Sequence, residues 1–188
     1  MGSFLILYGT GEGQTAKVSS RLAETIEDRN HSVTTVDIEE LPAEFDIDEF
    51  DAALVGSSIH AGRHNRAIRR FVSEYRDDLS ALPTGFFQVS LSSAEDDPER
   101  RAEAAGYVDD FLEDVDWHPD RIGLFGGALR YSKYGFLKRL LMKQIAGRKS
   151  GDVDTSRDYE YTDWEEVTAF ANDFATFTEG RLGVPSTA

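Results

Sequence analysis

The chain contains no cysteine in 188 residues. Without a thiol there is no disulfide framework, no thiolate nucleophile, no iron–sulfur cluster and no ordinary structural zinc site. Redox chemistry, where there is any, has to be carried by a bound cofactor. A long hydrophobic run is also missing: no stretch approaches the roughly 18 apolar residues that a membrane-spanning helix needs. No charged leader or long apolar core precedes the strand-like run Ser3–Tyr8. The expectation is a cytoplasmic protein, soluble or peripheral to a membrane.

Positive charge is scarce. There are 20 basic residues against 35 acidic ones, for a net charge of −15 at pH 7. Such an excess of acid, with arginine preferred to lysine over most of the chain, resembles the solvated shell of a salt-adapted protein and suggests a halophilic source. It would repel duplex nucleic acid. The sign reverses between Gly126 and Gly151, where acid is absent and Arg130, Lys133, Lys138, Arg139, Lys143, Arg148 and Lys149 fall together. With these seven set aside, 13 basic residues face 35 acidic ones elsewhere. An island of this kind is suited to an anionic ligand, a membrane surface or an acidic partner.

A chain of 188 residues fits one domain, burying roughly 70% of the surface its unfolded form exposes. Apolar runs at Phe4–Tyr8, Val33–Ile38, Ala52–Ser57, Gly85–Leu91 and Ile122–Ala128 predict five strands, several too continuously apolar to have a solvated face. Amphipathic helices lie between them, one carrying Val18, Leu22 and Ile26, the next Ile68, Val72, Tyr75 and Leu79. A third, after Pro98, carries Ala104, Tyr107, Val108, Phe111 and Leu112. Thr162 and Glu165 predict a capping box for the last helix. The alternation implies an α/β flavodoxin-like doubly wound sheet of five parallel strands with helices on both faces. The expected organisation is one domain over residues 1–180, a basic insertion at about 130–157 in the fifth-strand region, and a tail at 181–188.

The first strand runs into Thr10, Gly11, Glu12, Gly13, Gln14 and Thr15 and then a helix. Glycines let backbone N–H groups turn inward, the threonines offer hydroxyl donors, and the helix N-terminus adds partial positive charge. The spacing matches neither a dinucleotide fingerprint nor a Walker loop. It suits a single terminal phosphate held by neutral donors, as in FMN. In doubly wound sheets ligands lie beyond the carboxyl ends of the strands. There the third-strand loop supplies Ser57, Ser58, Ile59, His60, Ala61 and Gly62, whose small members permit close approach to a flat ring while Ile59 and His60 can cover its face. Ser90, Leu91 and Ser92 of the fourth-strand loop can meet the ring edge. His60 and His64 invite a metal reading, but a loop pair of this kind is more often solvated or packed, and no metal is expected. The acidic runs around Asp48 and Glu95 read as solvated loops.

With those residues in place the chain resembles the flavodoxin-like, quinone-dependent protoporphyrinogen oxidases (dehydrogenases) of bacteria over nearly its full length. The likeness rests on Gly13-Gln14-Thr15, on Gly56-Ser57-Ser58-Ile59 with Gly62 and His64, and on Trp117-His118-Pro119-Asp120-Arg121. Gly127-Ala128-Leu129-Arg130-Tyr131 and Tyr161-Thr162-Asp163-Trp164-Glu165 are its most distinctive parts. The resemblance implies FMN, a long insertion in the fifth-strand region, and oxidation of protoporphyrinogen IX with electrons passed to a membrane quinone such as menaquinone.

From Phe136 the insertion places Leu137, Leu140, Leu141 and Ile145 on one helical face and Lys138, Arg139 and Lys143 largely elsewhere. A basic amphipathic helix suits a membrane interface, giving the expectation of peripheral contact through about 130–149 on the inner face of the cell membrane. The same positive residues can pair with porphyrinogen propionates, Arg130 above all. A third alternative packs the apolar face on the domain itself or on a second subunit, which leaves a homo-oligomer open. Arg130, His60 and Arg63 are the candidates for substrate steering or proton handling. Two other functions stay open: a soluble flavodoxin-like electron carrier or quinone reductase, and a cofactor-free interaction module.

Overall fold

The computed structural model describes residues 1–60, 62–91, 98–129 and 159–183. In β1 (Ser3–Gly9), Phe4 and Ile6 join one apolar cluster and Leu5 and Leu7 join another on the opposite side. A strand that is apolar on both faces has to be covered on both. After it come α1 (Gln14–Glu27), β2 (Ser32–Asp37), β3 (Ala52–His60) and the short β4 (Arg63–His64). Helices α2 (Arg66–Glu74) and α3 (Arg76–Ala81) lead to β5 (Thr84–Ser90), α4 (Pro98–Val115) and β6 (Arg121–Gly126). The two-residue strands β7 (Ala128–Leu129) and β8 (Tyr159–Glu160) precede α5 (Trp164–Leu182).

Parallel pairing orders the long strands β2-β1-β3-β5-β6, with β4 antiparallel on β3. This is the doubly wound order expected from the alternation. Val18, Leu22 and Ile26 of α1 and Val167, Ala171 and Phe174 of α5 cover one face. Ile68 and Val72 of α2, Leu79 of α3 and Val108 and Phe111 of α4 cover the other. No helix among the described residues is long and apolar enough to cross a membrane.

The structure departs from the sequence expectations at four places. The second helix is two, because Tyr75 takes φ −101 and ψ 18 between α2 and α3. Its ring stacks on Phe71 at 4.6 Å and meets Phe45 edge-on at 5.8 Å, so aromatic packing wins over continuous helix. The fifth strand ends at Gly126, and Gly127 instead ties its N–H to the Ser90 carbonyl at 2.9 Å. The third strand continues past Ser57 to His60 and turns back through β4 as a hairpin. Finally, Asp163 caps α5 by accepting from the N–H groups of Glu165 and Glu166. The Thr162 hydroxyl is directed elsewhere: it donates to the Gly126 carbonyl at 2.7 Å and accepts from the Gln14 amide at 2.7 Å.

At the end of the sheet away from those loops, Glu179 is 2% exposed on α5. Its carboxylate accepts from Arg29 Nη2 at 2.7 Å and lies 3.0 Å from His31 Nε2. His31 Nδ1 accepts from the Gly2 N–H, so Nε2 carries the proton and donates to Glu179. The loop after α1 is thereby pinned to the last helix.

Candidate functional site

The loop after β1 is folded by its own side chain: Thr10 Oγ1 accepts from the Gly13 N–H at 2.8 Å. Gly13 stands at φ 89, a left-handed conformation that glycine adopts without steric cost, and it directly precedes α1. That helix start has no side-chain cap among the described residues. Thr15, in its first turn, is 1% exposed, and its Oγ1 has no hydrogen-bond partner among the described residues. A buried hydroxyl without a partner is costly, and beside an uncapped helix N-terminus it suits an anion. Gly11 is exposed and Glu12 half-buried at the mouth of the same loop. The Gln14 side chain donates to Thr162 Oγ1 at 2.7 Å, so it belongs to the brace described below.

Parallel register brings the strand ends into line. Gly9 pairs with Ser57, Ser58 with Val89, and Ser90 with Gly126. A methyl group at Gly11 would stand 4.0 Å from Ser58 Oγ, so the first loop lies against the third strand. Ser57 is buried; its hydroxyl accepts from the Asn65 N–H and donates to the Ser58 carbonyl. Asn65 in turn caps α2 by accepting from the N–H groups of Ala67 and Ile68.

The hairpin of β3 and β4 sets His60 opposite Arg63 and Ile59 opposite His64. Gly62 makes the turn at φ 74, and Tyr107 of α4 lies 3.5 Å from where its side chain would begin. His60 and Arg63 are exposed at the tip and share one face of the ribbon, whereas His64 lies on the other, so the two histidines do not converge. His64 is buried against Phe111 at 4.6 Å and Phe86 at 5.4 Å, with Nε2 2.9 Å from Gln88 Oε1. Burial, opposed by the Gln88 hydrogen bond and aided by nearby Arg69, pushes its pKa down to about 4. It is therefore neutral at pH 7, which leaves His60 and Arg63 as the solvent-facing polar pair of this loop.

Ser90 is buried at the end of β5, and Leu91 emerges 37% exposed. Across from it the Tyr161 N–H bonds to the Gly127 carbonyl, and the Tyr161 side chain is 45% exposed. Two large apolar groups are thus displayed on the strand-end edge. Ala61, Ser92, Arg130 and the remainder of the basic island lie outside the described residues.

A brace that the sequence patterns did not announce joins this edge to α1. Gln14 reaches Thr162, and Thr162 reaches the Gly126 carbonyl. Lys17 Nζ lies 2.6 Å from Glu160, which also accepts from Trp164 Nε1 at 3.1 Å. The Lys17 hydrogen bond holds the Glu160 carboxyl below its ordinary pKa. One sequence clue existed: Lys17 is the single lysine outside the basic island. Gln88, too, was overlooked although it is a lone amide within an apolar strand.

Residues 5–156 match the flavodoxin domain family. Protoporphyrinogen IX dehydrogenase [quinone] of Escherichia coli K12 is 32% identical over 176 residues, which is 93% of this chain and 96% of that protein. The Leishmania major protein of the same name is 33% identical over 96% of this chain and 77% of its own length. This chain belongs to the protoporphyrinogen IX dehydrogenase family of flavodoxin-domain proteins. Solved flavodoxins share its fold at low identity. A short-chain flavodoxin associated with a bacterial microcompartment gives a TM-score of 0.57 at 14% identity, covering 95% of this chain and 99% of its own. The FMN-bound Fusobacterium nucleatum flavodoxin gives 0.51 at 12% identity, covering 96% and 99%.

In this dehydrogenase-family chain, the motif Tyr161–Glu165 supplies the Thr162 link and the Asp163 cap, so it roots the last helix on α1. The motif Trp117–Arg121 has a structural part. Trp117 is fully buried against Phe86, and Asp120 accepts from the Thr84 N–H at 2.8 Å, which sets the registry of β6 beside β5.

Proposed function

We propose that this chain binds FMN across the carboxyl ends of β1, β3 and β5 and dehydrogenates protoporphyrinogen IX, with a quinone as electron acceptor. The observation that supports the cofactor most directly is the buried Thr15 hydroxyl, without a partner among the described residues and next to an uncapped helix start. A terminal phosphate supplies the acceptor oxygens that this hydroxyl and the helix N–H groups need. The substrate and acceptor are supported by kinship, over 93% and 96% of this chain, to two proteins named for that reaction.

The residues present fit such a group. Thr10 to Thr15 would hold the phosphate; Ser57 to Gly62, with Ala61, would border the ring on one side, and Ser90, Leu91 and Ser92 on the other. When bound, FMN supplies hydride acceptance from the reduced macrocycle and electron delivery to the quinone. The chain's own part is positioning. His60 and Arg63, paired at the hairpin tip, steer substrate carboxylates and hold a proton near the ring, and Leu91 and Tyr161 keep water from its edge. Arg130, directly after β7, is the propionate partner.

The segment 130–149 is proposed to lie on the inner face of the cell membrane, where the quinone dissolves. Each Lys or Arg near an anionic surface contributes about 1 kcal/mol at ordinary salt. Near 1 M salt the screening length falls to roughly 3 Å, so burial of the leucine face dominates in a salt-rich cell.

The test is anaerobic porphyrin fluorescence from protoporphyrinogen IX with FMN-loaded protein and a menaquinone analogue. Quinone-dependent porphyrin formation, lost in Arg130→Ala with FMN retained, is the expected result. Flavin-loaded protein that reduces the quinone from another donor but oxidises no porphyrinogen would overturn the substrate and leave a carrier or quinone reductase.

A further inference from the structure

Gln88 is fully buried on β5, between Phe87 and Val89 in sequence, on the sheet face covered by α2, α3 and α4. A polar side chain in such a place is costly unless all its polar atoms are engaged. Those of Gln88 are. Nε2 donates to the Ala104 carbonyl at 3.0 Å and to Ser90 Oγ at 3.4 Å, while Oε1 faces His64 Nε2 at 2.9 Å. A carbonyl only accepts, so the Ala104 contact fixes which end of the amide is nitrogen. His64 then carries its proton on Nε2 and donates to Gln88.

Three elements meet at this one amide. His64 ends β4 and forms the base of the hairpin whose tip holds His60 and Arg63. Ser90 ends β5, immediately before Leu91. Ala104 belongs to α4, the helix that also places Tyr107 against Gly62 of the hairpin. The His64 ring is held laterally by Phe86 and Phe111, so its remaining freedom is set by the hydrogen bond.

We propose that Gln88 is a positioning residue for the flavin: its amide fixes the separation between the hairpin at 60–63 and the end of β5, and so the width of the slot that receives the ring. This rests on the FMN reading above. The phosphate half of the site, built by the β1 loop and α1, makes no contact with Gln88 among the described hydrogen bonds, so the two halves are separable.

The test compares wild type, Gln88→Leu and the double variant Gln88→Leu/His64→Phe for FMN affinity, riboflavin affinity, flavin midpoint potential and Tm. Loss of the amide should weaken FMN and riboflavin by the same factor, about tenfold, the equivalent of one buried hydrogen bond. It should also shift the potential. The double variant replaces both polar partners by apolar groups, so it should regain Tm without regaining flavin affinity. Unchanged affinity and potential in Gln88→Leu with only Tm lowered would overturn the positioning role. Recovery of both Tm and affinity in the double variant would also overturn it, since packing alone would then suffice. Wild-type protein that binds neither FMN nor riboflavin would overturn the cofactor reading itself, an outcome distinct from the others.

Discussion

The ammonium of Lys17 lies 2.6 Å from the Glu160 carboxylate, so α1 grips the short strand β8. Three residues earlier on the helix, Gln14 makes a second link through Thr162 to Gly126. The two links differ in exposure and should differ in energy. Lys17 and Glu160 are solvent-accessible, and Lys17→Ala should cost under about 1 kcal/mol, less as salt rises. Thr162→Val removes the hydroxyl donor to the Gly126 carbonyl and should cost about 1–3 kcal/mol with little salt dependence. Urea unfolding at low and high salt measures both.

Thr15→Val should act with opposite sign on stability and on binding. Removing a buried hydroxyl that has no partner among the described residues should leave the flavin-free protein equally or more stable, by up to about 1 kcal/mol. The same change should weaken FMN several-fold and leave riboflavin, which lacks the phosphate, unaffected. Thermal melts of flavin-free protein and fluorescence titrations with the two flavins check the two signs.

His64 predicts a pH dependence of stability. Its pKa is lowered from 6.5 unfolded to about 4 in the fold. Between those values the unfolded chain binds a proton that the native state refuses, so the contribution is complete above about pH 6.5 and is lost as pH falls to about 4. The full effect is roughly 3 kcal/mol. The many carboxylates titrate too, so the measurement is the difference in urea midpoint between wild type and His64→Phe across pH 4–7.5. Wild type should lose stability more steeply on acidification.

Glu179 should be among the least replaceable charged groups. Its carboxylate is shared by Arg29 and His31 and is 3% exposed as a side chain. Glu179→Ala leaves a largely buried guanidinium uncompensated and should cost about 3–5 kcal/mol. Glu179→Gln keeps an acceptor and should cost less. Flavin affinity at 10 °C should be unchanged in the Gln variant, because this cluster lies at the opposite end of the sheet from the β1–α1 loop.

Replacing Leu137, Leu140 and Leu141 together by Ser should release the protein from liposomes of anionic lipid while leaving FMN bound. Charge removal at Lys138, Arg139 and Lys143 should release it at low salt and have little added effect near 1 M salt. Flotation at the two salt concentrations reads both, and binding by the triple serine variant equal to wild type would exclude the membrane role.

The sheet could be read from the chain because apolar runs such as Phe4–Tyr8 supply both faces of a buried strand, and few architectures cover both. The tight turn after β1 was legible for a similar reason: Gly13 and Thr15 stand where a strand gives way to a helix. What escaped were contacts set by distance in space. Tyr75 breaks a helix because of Phe45, which lies outside that helix's own periodicity. Thr162 has the spacing of a capping residue but is claimed by Gly126, and Asp163 takes its place. Gln88 was visible as an anomaly in an apolar strand, yet its partners His64, Ser90 and Ala104 come from three elements.

The two-residue ladder of β7 and β8 pairs Leu129 with Tyr159 and Ala128 with Glu160. The ladder therefore sets the two ends of the stretch between Leu129 and Tyr159 side by side, as adjacent, hydrogen-bonded doors. A two-residue turn of the Asn-Gly kind has the right reach and twist to close such a ladder. Excision closed by such a turn should retain the β1–α1 loop, the hairpin and both apolar clusters, and the same stems could accept the corresponding stretch of a relative. If substrate range and surface attachment reside in residues 130–158, as proposed above, cut and graft would separate them from the rest of the domain.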